Sequence, residues 1–218
     1  MKKIGFLSFG HWSTSPHSRV RSGADALLQS IELAVAEKAI DHVDAESARF
    51  ITASPFFLLA TAAADGSCDV SPRGDPSGSV LVLDERTLAF GDRKGNRRLD
   101  SFTNMLQRPD VGLLFLVPGR GDTLRVNGTA RIEADAPYLP RLAVAGVTPQ
   151  LAVEVRVGEL FLHCSKAFAR SALWDPATWP EKGDVPTAGQ MVRSQHNVPV
   201  PATVIDKMLR RDAKANRY

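Results

Sequence analysis

The sequence predicts a mainly β protein with flanking helices, an α+β chain built on a closed or nearly closed antiparallel barrel. Short apolar segments recur between about residues 55 and 163, turn punctuation separates them, and helical spacing is confined to a few stretches around and between them. No internal repeat or low-complexity tract competes with that reading.

Taken in order, Lys3 to Gly10 reads as a short strand, followed by a polar loop with Pro16 and a helix beginning near Ser22. Ala24, Leu27, Leu28, Ile31, Leu33, Ala34 and Val35 give that helix a broad apolar stripe. Ile40 to Phe50 repeats the helical pattern. Phe56 to Thr61 is a strand, Ala64-Asp65-Gly66 a tight turn, and Cys68 to Ser71 the return strand. Pro72 to Pro76 is expected to break that strand into a loop. Ser79 to Leu83 and Thr87 to Phe90 form a hairpin around Asp84-Glu85-Arg86. Strands then follow at 110–117 and from Thr123 to Ile132. A short helix near Pro137 to Ala145 precedes two further strands, Gln150 to Val157 and Leu160 to His163. Residues 176–203 read as Pro-rich and irregular, and 204–218 as a basic helix or frayed tail.

The stretch Gly91 to Arg131 carries the chemistry. Asn96 can cap a helix that Pro109 ends, which predicts Arg97 and Arg98 in its first turn. A helix N-terminus is positive, so arginines there are locally unfavourable unless an anion is bound, and arginine presents a planar fork matched to phosphate oxygens. The expected ligand therefore bears phosphate; a solvated basic turn after a hairpin explains the same residues about equally well. Gly91 and Gly95 bracket the loop and permit close backbone approach.

At 218 residues, 44% hydrophobic and 23% charged, the chain has the composition of one globular domain, or of one domain with an appendage. A net charge of +3, mostly interspersed, argues against nucleic acid. Cys68 and Cys164 lack ligand spacing, which argues against metal and disulfide and for reduced thiols in a cytoplasmic protein. No apolar run approaches the ~20 residues of a membrane span, and Ile4 to Phe9 is too short for a signal sequence.

Two resemblances add to this. Residues 1–36 resemble the first strand and helix of luciferase-like flavin monooxygenases, whose fold is a TIM barrel; one such unit cannot close eight strands, so that activity is not expected here. Residues 37–195 resemble the pyridoxamine 5′-phosphate oxidase-like, FMN-binding split β-barrel family. The resemblance rests on an ordered series: Ser71-Pro72-Arg73-Gly74-Asp75, Gly95-Asn96-Arg97-Arg98-Leu99-Asp100-Ser101, Gly112 to Gly119, Leu124 to Gly128, and His163 to Ala167 with Trp174.

This second resemblance implies FMN in a groove at the interface of a homodimer. Asn96, Arg97 and Arg98 would hold the phosphate, and Ser71, Pro72, Arg73 and Gly74 would border the flavin, with Arg73 a candidate for contact with either phosphate or ring. It places His163, Lys166, Arg170 and Trp174 in the region that approaches flavin and substrate. The C-terminal arginine and histidine pattern of the vitamin B6 oxidases is missing, so their substrate is not implied. The expectation is an FMN-dependent oxidoreductase acting on a small molecule. Its alternatives are a non-catalytic flavin- or haem-binding module, a deazaflavin in place of FMN, or, suggested by residues 1–36 alone, a luciferase-like monooxygenase. The implied organisation is an appendage of residues 1–36, the barrel domain of 37–195 and a tail of 196–218.

Overall fold

In a computed structural model, the structure describes residues 22–25, 38–95 and 98–217. Of the first unit, residues 1–40, the short helical turn at Gly23–Asp25 agrees with a helix starting near Ser22, whose Oγ accepts the Asp25 N–H. The expected strand at 3–10 and most of the luciferase-like appendage lie outside the described residues.

The second unit, residues 41–218, contains the sheet. Its strands are β1 (Phe56–Ala62), β2 (Cys68–Gly74), β3 (Val80–Asp84), β4 (Thr87–Gly91), β5 (Asp110–Leu116), β6 (Thr123–Glu133) and β7 (Ala152–His163). All pairings are antiparallel, in the order β2-β1-β5-β6-β7-β4-β3. The two edge strands, β2 and β3, are consecutive in the chain, and residues 75–79 alone join them. Six Cα steps of at most ~3.6 Å cannot span a flat seven-stranded sheet, so the sheet must roll. Its edges approach without pairing, which makes the barrel split.

Helix α1 (Ala45–Ala53) starts where the Asp44 side chain accepts the Ser47 N–H. The helix expected from Ile40 therefore begins five residues later, because the cap outranks the apolar periodicity of Ile40 and Val43. Its last turn leads to buried Ser54, whose Oγ lies 2.7 Å from both the Phe56 and Leu116 carbonyl oxygens. Inside the roll, Phe57 packs against Phe90 and Phe115 at centroid distances of 5.0 and 5.1 Å. Leu59, Leu88, Leu113, Val126, Val153 and Val155 complete this core. Helix α2 (Asp100–Gln107) packs against β1, β6 and β2 and buries Met105 and Asn104, whose Nδ2 donates to Thr61 Oγ1 at 3.0 Å.

Three expectations are corrected here. Pro72 does not break β2, which runs to Gly74 with Pro72 opposite Leu58; on an edge strand its missing N–H is directed away from the neighbour. Residues 152–163 are one strand, because Gly158 is absorbed as a bulge opposite Asn127 and Gly128. The helix expected near Pro137 is a single 3₁₀ turn, Leu139–Leu142.

After β7 come α3 (Lys166–Ser171), a 3₁₀ turn at Pro176–Thr178, α4 (Ala188–His196) and α5 (Ala202–Ala215). The stretch read as irregular thus contains a helix, started by a capping box between Thr187 and Gln190. Gly189 lets α4 cross α5 closely: its N–H donates to Asp206 Oδ1 at 2.8 Å, and a side chain there would strike the Ala202 carbonyl.

Candidate functional site

The register of β2 is the starting point. Asp69, Ser71 and Arg73 lie opposite Thr61, Leu59 and Phe57, on the face that turns toward the core. Cys68, Val70, Pro72 and Gly74 point to the other side, where Val70 is 59% exposed. The strand is therefore inverted, polar within and apolar without, the reverse of what a half-buried strand requires for stability.

The polar face of β2 forms one wall of an open cleft of about 580 Å³, with the loop after β4 and the start of α2 as the other. That volume lies within the range of small-molecule sites. A larger cavity of about 780 Å³ lies beside α1, but its charged groups are already committed: Arg49 to Glu46 at 2.8 Å and Arg120 to Asp122 at 3.5 Å.

Within the cleft the cations differ. Arg93 is fixed: Nε donates to Asp75 at 2.6 Å and Nη2 to the Leu142 carbonyl at 2.6 Å. It ties the loop after β4 to the chain that joins the sheet's edges. Arg98 is exposed, and its Nε donates to Asp100 at 2.6 Å. Arg73 is only 24% exposed and faces Asp92, with Nη1 3.9 Å from Oδ1; among the described residues its Nε, which is buried, has no hydrogen-bond partner. Burial holds the Arg73 guanidinium below its usual range, partly offset by Asp92 and Asp69. Burial likewise pushes the Asp92 carboxyl above its ordinary value, with Arg73 pulling the other way. Each charge in this pair is thus incompletely compensated.

Ser71 Oγ and Ser101 Oγ lie 3.1 Å apart across the cleft floor, and Ser101 reaches Asp69 at 3.4 Å. The first intrahelical bond of α2 runs from the Thr103 N–H to the Leu99 carbonyl. The N–H groups of Asp100, Ser101 and Phe102 therefore have no partner within the helix, and Leu99 in the N-cap position has no side-chain acceptor for them. A half-buried guanidinium, two hydroxyls and a helix start suit a compact anion.

The predicted site residues divide. Ser71, Pro72 and Arg73 border this cleft with Arg98; Gly74 borders the smaller adjoining cavity of about 170 Å³, which also reaches Arg73. Asn96 and Arg97 lie outside the described residues. Arg98, expected in the first helical turn, precedes the helix instead, since α2 begins at Asp100 with Leu99 in the N-cap position at φ 59°. His163 is not brought into the cleft; it ends β7 on the sheet's outer face, beside the Phe161 ring at 4.4 Å. Lys166 and Arg170 are exposed on α3, and Trp174 anchors that segment by donating from Nε1 to the Arg120 carbonyl at 2.7 Å. Asp92 and Ser101 were not singled out from sequence. The signal for Ser101 was the alternation Asp69-Ser71-Arg73 opposite it, hidden by reading Pro72 as a strand end.

No group of three or more His, Cys, Asp or Glu arranged for a metal occurs among the described residues, and both cysteines are free and exposed. No helix among them is long and apolar enough to cross a membrane.

Among curated proteins no sequence matches the chain. Solved structures similar to it include a tagged HupZ protein of Group A Streptococcus, at 19% identity over 55% of this chain and 93% of that one, with a TM-score of 0.45. A putative pyridoxamine 5′-phosphate oxidase of Lactobacillus delbrueckii is similar at 24% identity, covering 57% and 98%, with a TM-score of 0.45. An FMN-binding protein of Syntrophomonas wolfei aligns at 10% identity, covering 65% and 96%, with a TM-score of 0.43. The sequence profile of the pyridoxamine 5′-phosphate oxidase family matches residues 43–164, which hold the entire rolled sheet, α1, α2 and every residue of the cleft: the chain belongs to that family.

Proposed function

We propose that this chain is an FMN-dependent oxidoreductase acting on a small molecule, and that the cleft between β2 and α2 receives the phosphate end of the cofactor. The observation that carries this reading is Arg73. A buried guanidinium N–H without a partner costs about 1–3 kcal/mol, and a phosphate oxygen would relieve that cost with a charge-assisted bond. Ser71 and Ser101 would add hydroxyl donors, and the Ser101 and Phe102 N–H groups at the start of α2 would complete the cradle. Bound FMN would supply electron and hydride transfer, chemistry for which side chains alone are unsuited. The protein's part is to hold, orient and partly dry the cofactor.

Assembly as a homodimer belongs to the same reading. The outer face of the roll joins Phe56, Leu58, Ala60, Val70, Leu114 and Leu116 by direct cross-strand pairing, and Phe56 is 36% exposed. A contiguous apolar sheet face of this kind is costly in water and suits a second copy related by a twofold axis.

The test is direct. Purified protein should be yellow, and mass spectrometry of the released ligand should give FMN as against a deazaflavin or haem. Anaerobic bleaching by NADH or NADPH, followed by turnover with an added acceptor, would establish the oxidoreductase; colour without turnover would support the binding module. Light scattering should give twice the chain mass, and a flavin-loaded monomer at micromolar concentration would contradict the dimer.

A further inference from the structure

The cleft holds a carboxylate that a phosphate site does not need. Asp92 follows β4, where its N–H donates to the Leu151 carbonyl at 2.8 Å, so the backbone fixes its place. Its carboxylate lies 30% exposed, opposite Arg73 at 3.9 Å. That separation is an ion pair without a hydrogen bond: close enough to neutralise, too long to lock. Among the described residues the surrounding charges are Asp69 on β2, Arg93 and Lys94 on the loop after β4, Arg98 just before α2 and Asp100 at its start. Arg93 is tied to Asp75, and Arg98 donates to Asp100.

We propose that Asp92 is a resident counter-charge for Arg73 which an incoming phosphate group replaces, so that anion uptake at this cleft is coupled to uptake of one proton by Asp92. The proposal rests on the phosphate reading above and adds its regulation. An anion drawn to Arg73 places a second negative charge within a few ångströms of the carboxylate, and like charges so close favour protonation of one. The only bond formed is O–H, on Asp92, with the proton taken from solvent. The protonated carboxyl then becomes a donor able to reach a phosphate oxygen.

The sign follows from burial. Burial already raises the Asp92 carboxyl above its ordinary 3.8, and an anion beside it would raise it further. Between those two values the bound form carries the extra proton. Affinity therefore falls by up to about tenfold per pH unit as pH rises through that window, and levels off on either side. Riboflavin, without phosphate, escapes the effect.

The experiment measures affinity from pH 4.5 to 8.5 for FMN, riboflavin and inorganic phosphate, with the wild type and Asp92→Asn. Calorimetry in buffers of different ionisation enthalpy counts protons. The wild type should take up a proton on binding FMN or phosphate; Asp92→Asn should not, and should bind both about tenfold tighter at pH 8. Equal proton uptake and equal pH slopes in the two proteins would overturn the coupling while leaving the FMN reading intact. Phosphate binding with Asp92-dependent proton uptake but no FMN binding would uphold the coupling and sink the FMN reading. No binding of any probe to either protein would overturn both. Should Asp92→Asn fail to fold, carboxyl ¹³C shifts of the wild type decide: Asp92 must titrate at higher pH with phosphate present, and an unmoved titration refutes the proposal.

Discussion

Two arginines in this molecule share an unusual feature and differ in everything around it. Arg73 and Arg125 each have a buried Nε without a hydrogen-bond partner among the described residues. Arg125, on the outer face of β6, is nevertheless committed: its Nη2 donates to Glu159 at 2.6 Å, and its guanidinium lies 3.9 Å from the centre of the Phe161 ring. Asn127 Nδ2 donates to the same Glu159 oxygen at 3.2 Å. Arg73, on the inner face of β2, faces Asp92 at a distance too long for a hydrogen bond, with Asp69 adding its field. An orphaned nitrogen alone does not mark a binding site. What the guanidinium's remaining donors do decides, and by that measure Arg125 is tied into the sheet, whereas Arg73 faces Asp92 without a hydrogen bond.

The sharpest way to break the comparison is to disturb the strand pairing that supports Arg125. Gly128 lies so close to the Arg156 carbonyl that a Cβ would collide with backbone, at the bulge that brings Glu159 and Phe161 alongside Arg125. Gly128→Ala should cost about 3 kcal/mol or more, read as a large fall in the denaturation midpoint. A loss under ~1 kcal/mol would mean that the bulge does not set the register.

Substituting the arginines themselves should separate binding from stability. Arg73→Ala should lower FMN affinity by about one to two decades, leave riboflavin affinity nearly unchanged, and leave the unliganded protein as stable as before or slightly more so. Arg125→Ala should do the opposite: FMN affinity within about twofold, and stability reduced by about 1–2 kcal/mol for the lost ion pair and ring contact. Titration of both ligands and chemical denaturation of both variants read all four outcomes, and a shared phenotype would erase the distinction.

Arg98→Ala should fall between these. Arg98 borders the cleft but is exposed and pairs with Asp100, so FMN affinity should drop only about threefold to fivefold. A loss as large as that of Arg73→Ala would make Arg98 an equal partner in holding the phosphate.

The smallest effect concerns His163. Burial and then the field of Arg125 lower its imidazole below the ordinary 6.5. A group depressed in the folded state contributes stability above its unfolded value, and that contribution is lost as pH falls through the folded one. Stability should therefore decline modestly below about pH 6.5, and His163→Asn should flatten that decline. In Arg125→Ala the His163 ring should titrate at higher pH by NMR, since a repelling charge is gone; an unmoved value would leave burial as the whole cause.

These contrasts also explain what the sequence disclosed. Family resemblance supplied the split-barrel class, while the pattern of short apolar segments between turns made β1, β3 to β6 and a nearly closed antiparallel barrel readable. That pattern failed on β2, where polar Asp69, Ser71 and Arg73 occupy core-side positions, and where Pro72 looked like a terminator. The start of α2 was misplaced because Asn96 and Asp100 are both residue types suited to helix starts, and propensity alone does not rank them; Leu99 in a left-handed conformation decides it. Conversely, the Thr187 to Gln190 capping box was legible but was outweighed by the prolines around it. Arg73 entered through family resemblance, whereas Asp92 required three dimensions, since nothing in sequence spacing sets it opposite β2.

Pro72 has one more consequence, for life in a crowded solution. Paired with Leu58 on the edge of the sheet, it stands midway along the row of backbone groups that β2 turns outward between Val70 and Gly74. A foreign strand adding to that edge would need a donor at this point and would meet a ring instead. The residue that looked like the end of a strand thus protects the molecule against edge-to-edge aggregation, at the strand whose inward face is least able to stabilise itself.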